Sequence, residues 1–372
     1  KLEVRNSSIS GSSGYYCGFY GEYTQSGEVL NITDSQFSNA SCTKSLVRLY
    51  SWVTDVSVVL ESSSMLNVSF GIELLNTKLN INNLLAEEFV QGCILAEENS
   101  SLTIENSRFS RHAKNDFGNP QTYPATTSIV VENSFLRVSK SEFKNQSGKV
   151  AGSIELSLSN ATIEDSVFES GASREGGAIR AEDGSLKVYG TQFKNLESGK
   201  GGAIYISGSE TTLQSSTFSQ THASDSGGAV ISYSPSELFI ENCTFSEASS
   251  TQGGAVYVIR FFESLKTFTI KDSRFFNNSA EKGGSLYASN SVLNVTNSYF
   301  QNNSAETGGA VSIKHIDYNY YPSYISNCSF VNNSATRGGA INWENVRPEL
   351  NSNYYLNNSA VYGDQVASYA VA

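Results

Sequence analysis

The segment Phe275 to Leu286, FFNNSAEKGGSL, returns as FQNNSAETGGAV from Phe300 to Val311 and as FVNNSATRGGAI from Phe330 to Ile341. An aromatic anchor, a polar Asn-Asn-Ser-Ala stretch and a double glycine keep fixed distances from one another. A unit this short cannot bury an apolar face by itself, so it must stack on copies of itself.

The stretch before each anchor has its own grammar, an apolar–polar–apolar triplet followed by Asn or Asp and then a small residue. Leu30 and Ile32 precede Phe37, Leu102 and Ile104 precede Phe109, Leu136 and Val138 precede Phe143, and Leu293 and Val295 precede Phe300. Phe168, Phe193, Phe218, Phe245, Phe330 and Tyr355 continue the series, and Val4 to Ile9 reads as a weaker first member. From Phe143 the anchor-to-anchor steps are 25, 25, 25, 27, 30, 25, 30 and 25 residues. Alternating short segments between polar turns favour strand over helix. The economical fold is an all-β, right-handed parallel β-helix with one unit per rung, the hand following from the usual handedness of parallel crossovers. About thirteen rungs at roughly 4.8 Å each would extend about 60 Å. Residues 1–372 read as one such domain, with less regular rungs over 1–142 and regular ones over 143–372.

Within that frame the double glycine has a task. One glycine permits positive φ at a corner, and the next lets neighbouring backbones approach. The anchors should stack as an aromatic ladder. Two positions before them runs a column of small polar residues, among them Ser35, Ser107, Ser141, Ser273 and Ser298, with Cys243 and Cys328 as members. Those two cysteines stand three rungs apart, about 14 Å, too far for a disulfide. They read as buried thiols, while a Cys17–Cys42 bridge between adjacent rungs stays open. Residues 44–92 keep strand-like alternation without glycine pairs and read as rungs with altered corners. Residues 111–127 read as a loop thrown out of one rung. Two longer rungs insert at one corner, bringing Phe261 and Phe262 near Tyr318, Tyr320 and Tyr321, a candidate aromatic patch for a partner.

Charged residues are 16% of the chain and the net charge is −11, which argues against a nucleic-acid partner. No apolar run reaches membrane-spanning length. The chain starts at Lys1 without a signal-peptide pattern, so a processed or excised fragment is expected.

The densest chemical motif is Asn-x-Ser/Thr, the N-glycosylation acceptor. It occurs at Asn6, Asn31, Asn39, Asn67, Asn99, Asn145, Asn160, Asn242, Asn277, Asn294, Asn302, Asn327, Asn332 and Asn357. Asn39, Asn145, Asn277, Asn302, Asn332 and Asn357 each follow an anchor by two residues, so stacking would align them on one exposed corner. Asparagine also suits left-handed turns, which supplies a purely conformational reason for its abundance. Catalytic constellations are not evident. His112, His222 and His315 are dispersed and read as loop or turn residues, and Glu155, Glu164-Asp165 and Glu182-Asp183 read as scattered turn carboxylates without a basic partner. No zinc spacing, nucleophile triad or phosphate-cradling loop is recognisable, and no cofactor is expected.

The Gly-Gly-Ala-Ile pattern (Gly176 to Ile179, Gly201 to Ile204, Gly338 to Ile341) and the Phe-x-x-Asn pattern (Phe275 to Asn278, Phe300 to Asn303, Phe330 to Asn333) resemble the repeats of the chlamydial polymorphic outer-membrane proteins and related adhesin-like β-helix proteins. The likeness is good over roughly 143–372 and loose before it. It implies a surface-exposed, adhesin-like β-helix of the pectin-lyase-like superfamily. No segment matches those proteins' membrane barrel, and no residue matches the superfamily's catalytic Asp, Arg and His clusters. The sequons point to a eukaryotic secretory origin. The expectation is therefore an extracellular, N-glycosylated structural protein of a surface coat or filament, self-associating end to end. An adhesin binding a cell-surface glycan or protein is the alternative, and a polysaccharide-degrading enzyme a third.

Overall fold

The computed structural model describes residues 2–14, 19–23, 29–42, 45–51, 56–68, 70–89, 92–110, 127–233, 237–260, 267–315 and 322–369, and every regular element among them is a strand. All paired strands run parallel, as a β-solenoid requires. The chain divides into two compact units, Lys1–Arg174 with Ala178–Ser185, and Glu175–Gly177 with Leu186–Ala372.

In the second unit each rung supplies three strands to three stacked sheets. The first sheet holds Thr267–Lys271 and Val292–Thr296, the anchor sheet Arg274–Phe276 and Tyr299–Gln301, and the third sheet Leu286–Ser289 and Val311–Lys314. A fourth, short set, Ser304–Thr307, Ser334–Arg337 and Ser359–Tyr362, follows the anchor corner in the last rungs. Register is in phase with the repeat: Phe275 pairs with Phe300, and Phe300 with Phe330. Anchor rings stack with centroids 4.9 Å apart and planes within 6°. Each such ring is wholly buried, worth about 1.5–3 kcal/mol.

The first unit repeats the plan. Leu102 pairs with Leu136, Phe109 with Phe143 and then Phe168, and Ile129 with Ile154. Its irregular rungs keep the register while changing the anchor: Ile9 pairs with Phe37, Phe37 with Met65, Met65 with Ala86, and Ala86 with Phe109. Val4 to Ile9 is thus a rung of the series, and the described residues within 44–92 form rungs whose anchors, Met65 and Ala86, are no longer aromatic.

The double glycines do what their offset demands. Gly283 sits at φ +64°, and a Cβ on Gly284 would lie 2.1 Å from the carbonyl oxygen of Gly309 on the next rung. Two further corner columns also hold positive φ, from Asn242, Asp272, Asn297 and Asn327 (51–53°) in one to Asn277, Asn302 and Asn332 (53–58°) in the other. Asparagine tolerates this region better than other residues with a Cβ, so the fold itself selects for it.

The Asn-Asn pair is not a uniformly exposed turn as its polarity suggests. Asn278, Asn303 and Asn333 are fully buried. The Oδ1 atoms of Asn303 and Asn333 each accept from the backbone N–H and the carboxamide of the preceding rung: Asn278 N to Asn303 Oδ1 is 3.0 Å and Asn278 Nδ2 to the same atom 3.1 Å. Asn278 Oδ1 accepts from the backbone N–H of Ala248. Each Nδ2 also donates to an anchor carbonyl, Asn303 to Phe275 O at 3.1 Å. The serine column behaves alike. Ser273 N donates to Ser298 Oγ at 3.2 Å, while Ser273 Oγ donates to Lys271 O at 2.8 Å. Cys243 and Cys328 lie buried in it as free thiols, and burial pushes them up to about 12 and about 11. Cys93 is also free and buried, whereas the Cys17–Cys42 pair left open by the sequence lies outside the described side chains.

Candidate functional site

Among the described residues, two places bring chemistry-bearing side chains together: the exposed asparagine corner and a charged patch on the third sheet of the first unit.

At the corner, Asn277, Asn302, Asn332 and Asn357 occupy one register position with φ between +50° and +58°, and all are exposed. The side chain at this residue is exposed and that at the next is buried at Asn278, Asn303 and Asn333, which separates the sequon asparagine from the ladder asparagine beside it. Asn302 Nδ2 donates to Asn277 Oδ1 at 3.3 Å. In the first unit Asn39 and Asn67 share the arrangement, Asn67 Nδ2 donating to Asn39 Oδ1 at 2.9 Å, and Asn145 holds the same exposed conformation. Asn6, Asn99, Asn242 and Asn327 are exposed at other positive-φ corners. Asn31, Asn160 and Asn294 lie in strands; Asn160 is exposed and the other two are half-buried.

No motif points to the charged patch. Glu155, in Ile154–Ser157, pairs directly with Arg180, in Ile179–Glu182, so their side chains stand side by side on the outer face. Arg180 Nη1 lies 3.4 Å from Glu155 Oε1, and its other terminal nitrogen meets Glu182. Thr127 Oγ1 is 3.2 Å from Glu155 Oε2 and 3.0 Å from Ala151 O. Burial holds the Glu155 carboxyl above its usual range, with Glu132 and Glu182 adding to the rise while Arg180 and Thr127 oppose it. Glu97 is raised in the same way, first by burial and then by Glu132, Glu73 and Glu98. A carboxyl whose proton affinity is raised by burial, beside a guanidinium, is the kind of group general acid–base chemistry draws on. A signal is nonetheless present in the sequence: Glu155 and Arg180, like Ser157 and Glu182, are 25 residues apart, one repeat.

Other candidates fall differently. His315 is not a solvated loop residue. It is fully buried, and burial lowers its ring to about 4. His222 lies exposed in the strand Thr217–Ser226 with Nδ1 2.9 Å from Ser249 Oγ. Arg260, which nothing in the sequence singles out, is buried with its guanidinium 4.9 Å above the Phe268 ring. His112, the aromatic patch of Phe261, Phe262, Tyr318, Tyr320 and Tyr321, and residues 111–126 of the expected loop lie outside the described residues; Thr127 is buried.

Residues 152–353 match a family described as a right handed beta helix region. Among solved structures, an alginate lyase complex is similar at 11% identity, with 92% of this chain and 81% of that chain covered and a TM-score of 0.31. A mannuronic acid specific polysaccharide family 6 lyase from human gut microbiota is similar at 9% identity, covering 89% of this chain and 83% of the other with a TM-score of 0.24. No curated protein matches the chain.

Proposed function

The chain belongs to the right-handed β-helix family, and from that premise we propose that it is an extracellular, N-glycosylated structural protein of a surface coat or filament. The observation that carries this is the corner column. Its acceptor asparagines point into solvent while the adjacent asparagines close the interior, so sugar can be added without opening the core. Expression of the chain in a glycosylating eukaryotic secretory host, followed by intact-mass measurement before and after enzymatic glycan removal, tests it. A mass drop of several oligosaccharides is expected; an unchanged mass sinks the proposal.

Self-association end to end completes the reading. Rungs pair through the same parallel backbone register throughout, so the strand edges of a second copy could continue the stack by backbone pairing. Electron microscopy at high concentration should show filaments, and single dispersed particles would count against them. The adhesin alternative is tested by replacing Tyr318, Tyr320 and Tyr321 with Ala in a cell-surface glycan binding assay.

The charged patch favours a second reading, a polysaccharide-acting enzyme with Glu155 as proton donor or acceptor. Two carboxylates, Glu155 and Glu182, contact one guanidinium, and Glu132 adds a further negative charge felt by Glu155, so the local charge suits a neutral polymer better than a polyanion. Chain cleavage of a neutral polysaccharide that disappears in Glu155→Gln supports this reading. Absence of turnover across neutral and acidic polymers retires it.

A further inference from the structure

Four consecutive rungs of the second unit carry an acceptor asparagine at the same corner position, and their spacing constrains how many can bear sugar together. The anchors two residues earlier stack at 4.9 Å between Phe275 and Phe300 and at 4.9 Å between Phe300 and Phe330. The carboxamides of Asn277 and Asn302 already touch, at 3.3 Å. No gap remains between them for a substituent.

We infer that oligosaccharides on adjacent rungs of this corner exclude one another in the folded chain, so Asn277, Asn302, Asn332 and Asn357 are occupied on alternate rungs at most. The inference rests on the glycoprotein reading above. The chemistry at each site is transfer from an activated glycosyl diphosphate. A bond forms between Asn Nδ2 and the sugar C1, the C1–O bond to the diphosphate breaks, the diphosphate leaves, and Nδ2 gives up one of its two protons. The remaining Nδ2 hydrogen still serves the 3.3 Å contact to the neighbouring Oδ1, so one sugar leaves the column intact. A second on the next rung does not. Non-bonded carbons need about 3.5–4.0 Å between them, and a ring bearing an acetamido group, a hydroxymethyl group and a branched extension is wider than the remainder of one strand spacing. Swinging one asparagine side chain aside would break the carboxamide contact. Chains that acquire sugar on neighbouring rungs before folding therefore stack those rungs poorly and are depleted from the secreted, folded pool. The same rule pairs Asn39 with Asn67, whose carboxamides meet at 2.9 Å, while Asn145 has no acceptor on the paired rung.

Glycopeptide occupancy on the secreted full chain tests the inference. Cleavage after Arg274 and Lys282 isolates Asn277 on its own peptide. Asn302→Gln should roughly double occupancy at Asn277 if mutual exclusion by contact is the limit, and occupancy at Asn145 should not change. Unchanged occupancy at Asn277 overturns the inference, as does an abundant secreted species bearing sugar on both Asn277 and Asn302. Peptides without sugar at any acceptor would overturn it together with the glycoprotein reading, a result distinct from sugars present without relief.

Discussion

Replacing Asn303 by Asp keeps the shape of a ladder residue and removes its ability to donate. In the native chain Asn303 Oδ1 accepts from Asn278 N and Nδ2, at 3.0 and 3.1 Å, and Asn303 Nδ2 donates to Phe275 O at 3.1 Å and Asn333 Oδ1 at 2.9 Å. A carboxylate would keep the two accepted bonds and turn the other two into oxygen–oxygen contacts in a fully buried site. The carboxyl will take up a proton instead, so its folded-state pKa lies above the unfolded value of about 3.9. A group raised in this way contributes stability below the unfolded value and loses it as pH rises through the folded one. The variant should therefore approach the native chain near pH 4 and fall behind by about 3 kcal/mol at pH 7, since each tenfold change in proton affinity is worth about 1.4 kcal/mol. For a unit of this size that is about 6–12 °C in Tm. Asn303→Ala, which cannot titrate and leaves the Asn278 N–H without its acceptor, should lose a similar amount at every pH. Asn302→Asp on the exposed corner should lose less than about 1 kcal/mol. Calorimetric melting from pH 4 to 7, with hydrogen exchange at the Asn278 amide as the local readout, checks all three. An Asn303→Asp curve parallel to the native one would refute the closed ladder.

Gly284→Ala drives a Cβ to 2.1 Å from a backbone oxygen and should cost roughly 3 kcal/mol or more, whereas Gly11→Ala, with open space but φ +65°, should cost about 1–2 kcal/mol; urea titration separates them. Leu158 is 64% exposed at φ +51°, so Leu158→Asn should raise stability by about 0.5–1 kcal/mol, read as a shifted melting point. His315, lowered to about 4 by burial, contributes stability that is complete above the unfolded pKa near 6.5 and is lost as pH falls toward 4. Up to about 3 kcal/mol is at stake over that window, and His315→Leu should flatten this part of the stability–pH curve relative to the native chain.

The aromatic ladder is legible in the sequence because its members keep both identity and spacing, and the glycine corners because a positive φ followed by a close backbone approach favours a glycine pair at a fixed offset. Met65 and Ala86 are not, since the interior accepts any apolar residue at an anchor and the period there also changes. Asn303 misleads for a different reason. Polarity signals exposure only when no partner is supplied, and here the partner is the same residue one rung away. Glu155, Arg180 and Glu182 look scattered along the chain because what brings them together is proximity modulo the repeat.

The buried columns also have a sense of direction. Asn278 gives to Asn303, Asn303 to Asn333 and Asn333 to Asn358, and the serines pass their backbone protons the same way. Such aligned bonds polarise one another, which makes each column a chain of dipoles whose links must match end to end. Duplicating a whole rung inserts one more identical link and leaves every neighbour satisfied. Removing three residues between an anchor and its glycine pair would shift the asparagine and the glycines out of their columns together, whereas the five extra residues of the 30-residue rungs leave the anchors in phase.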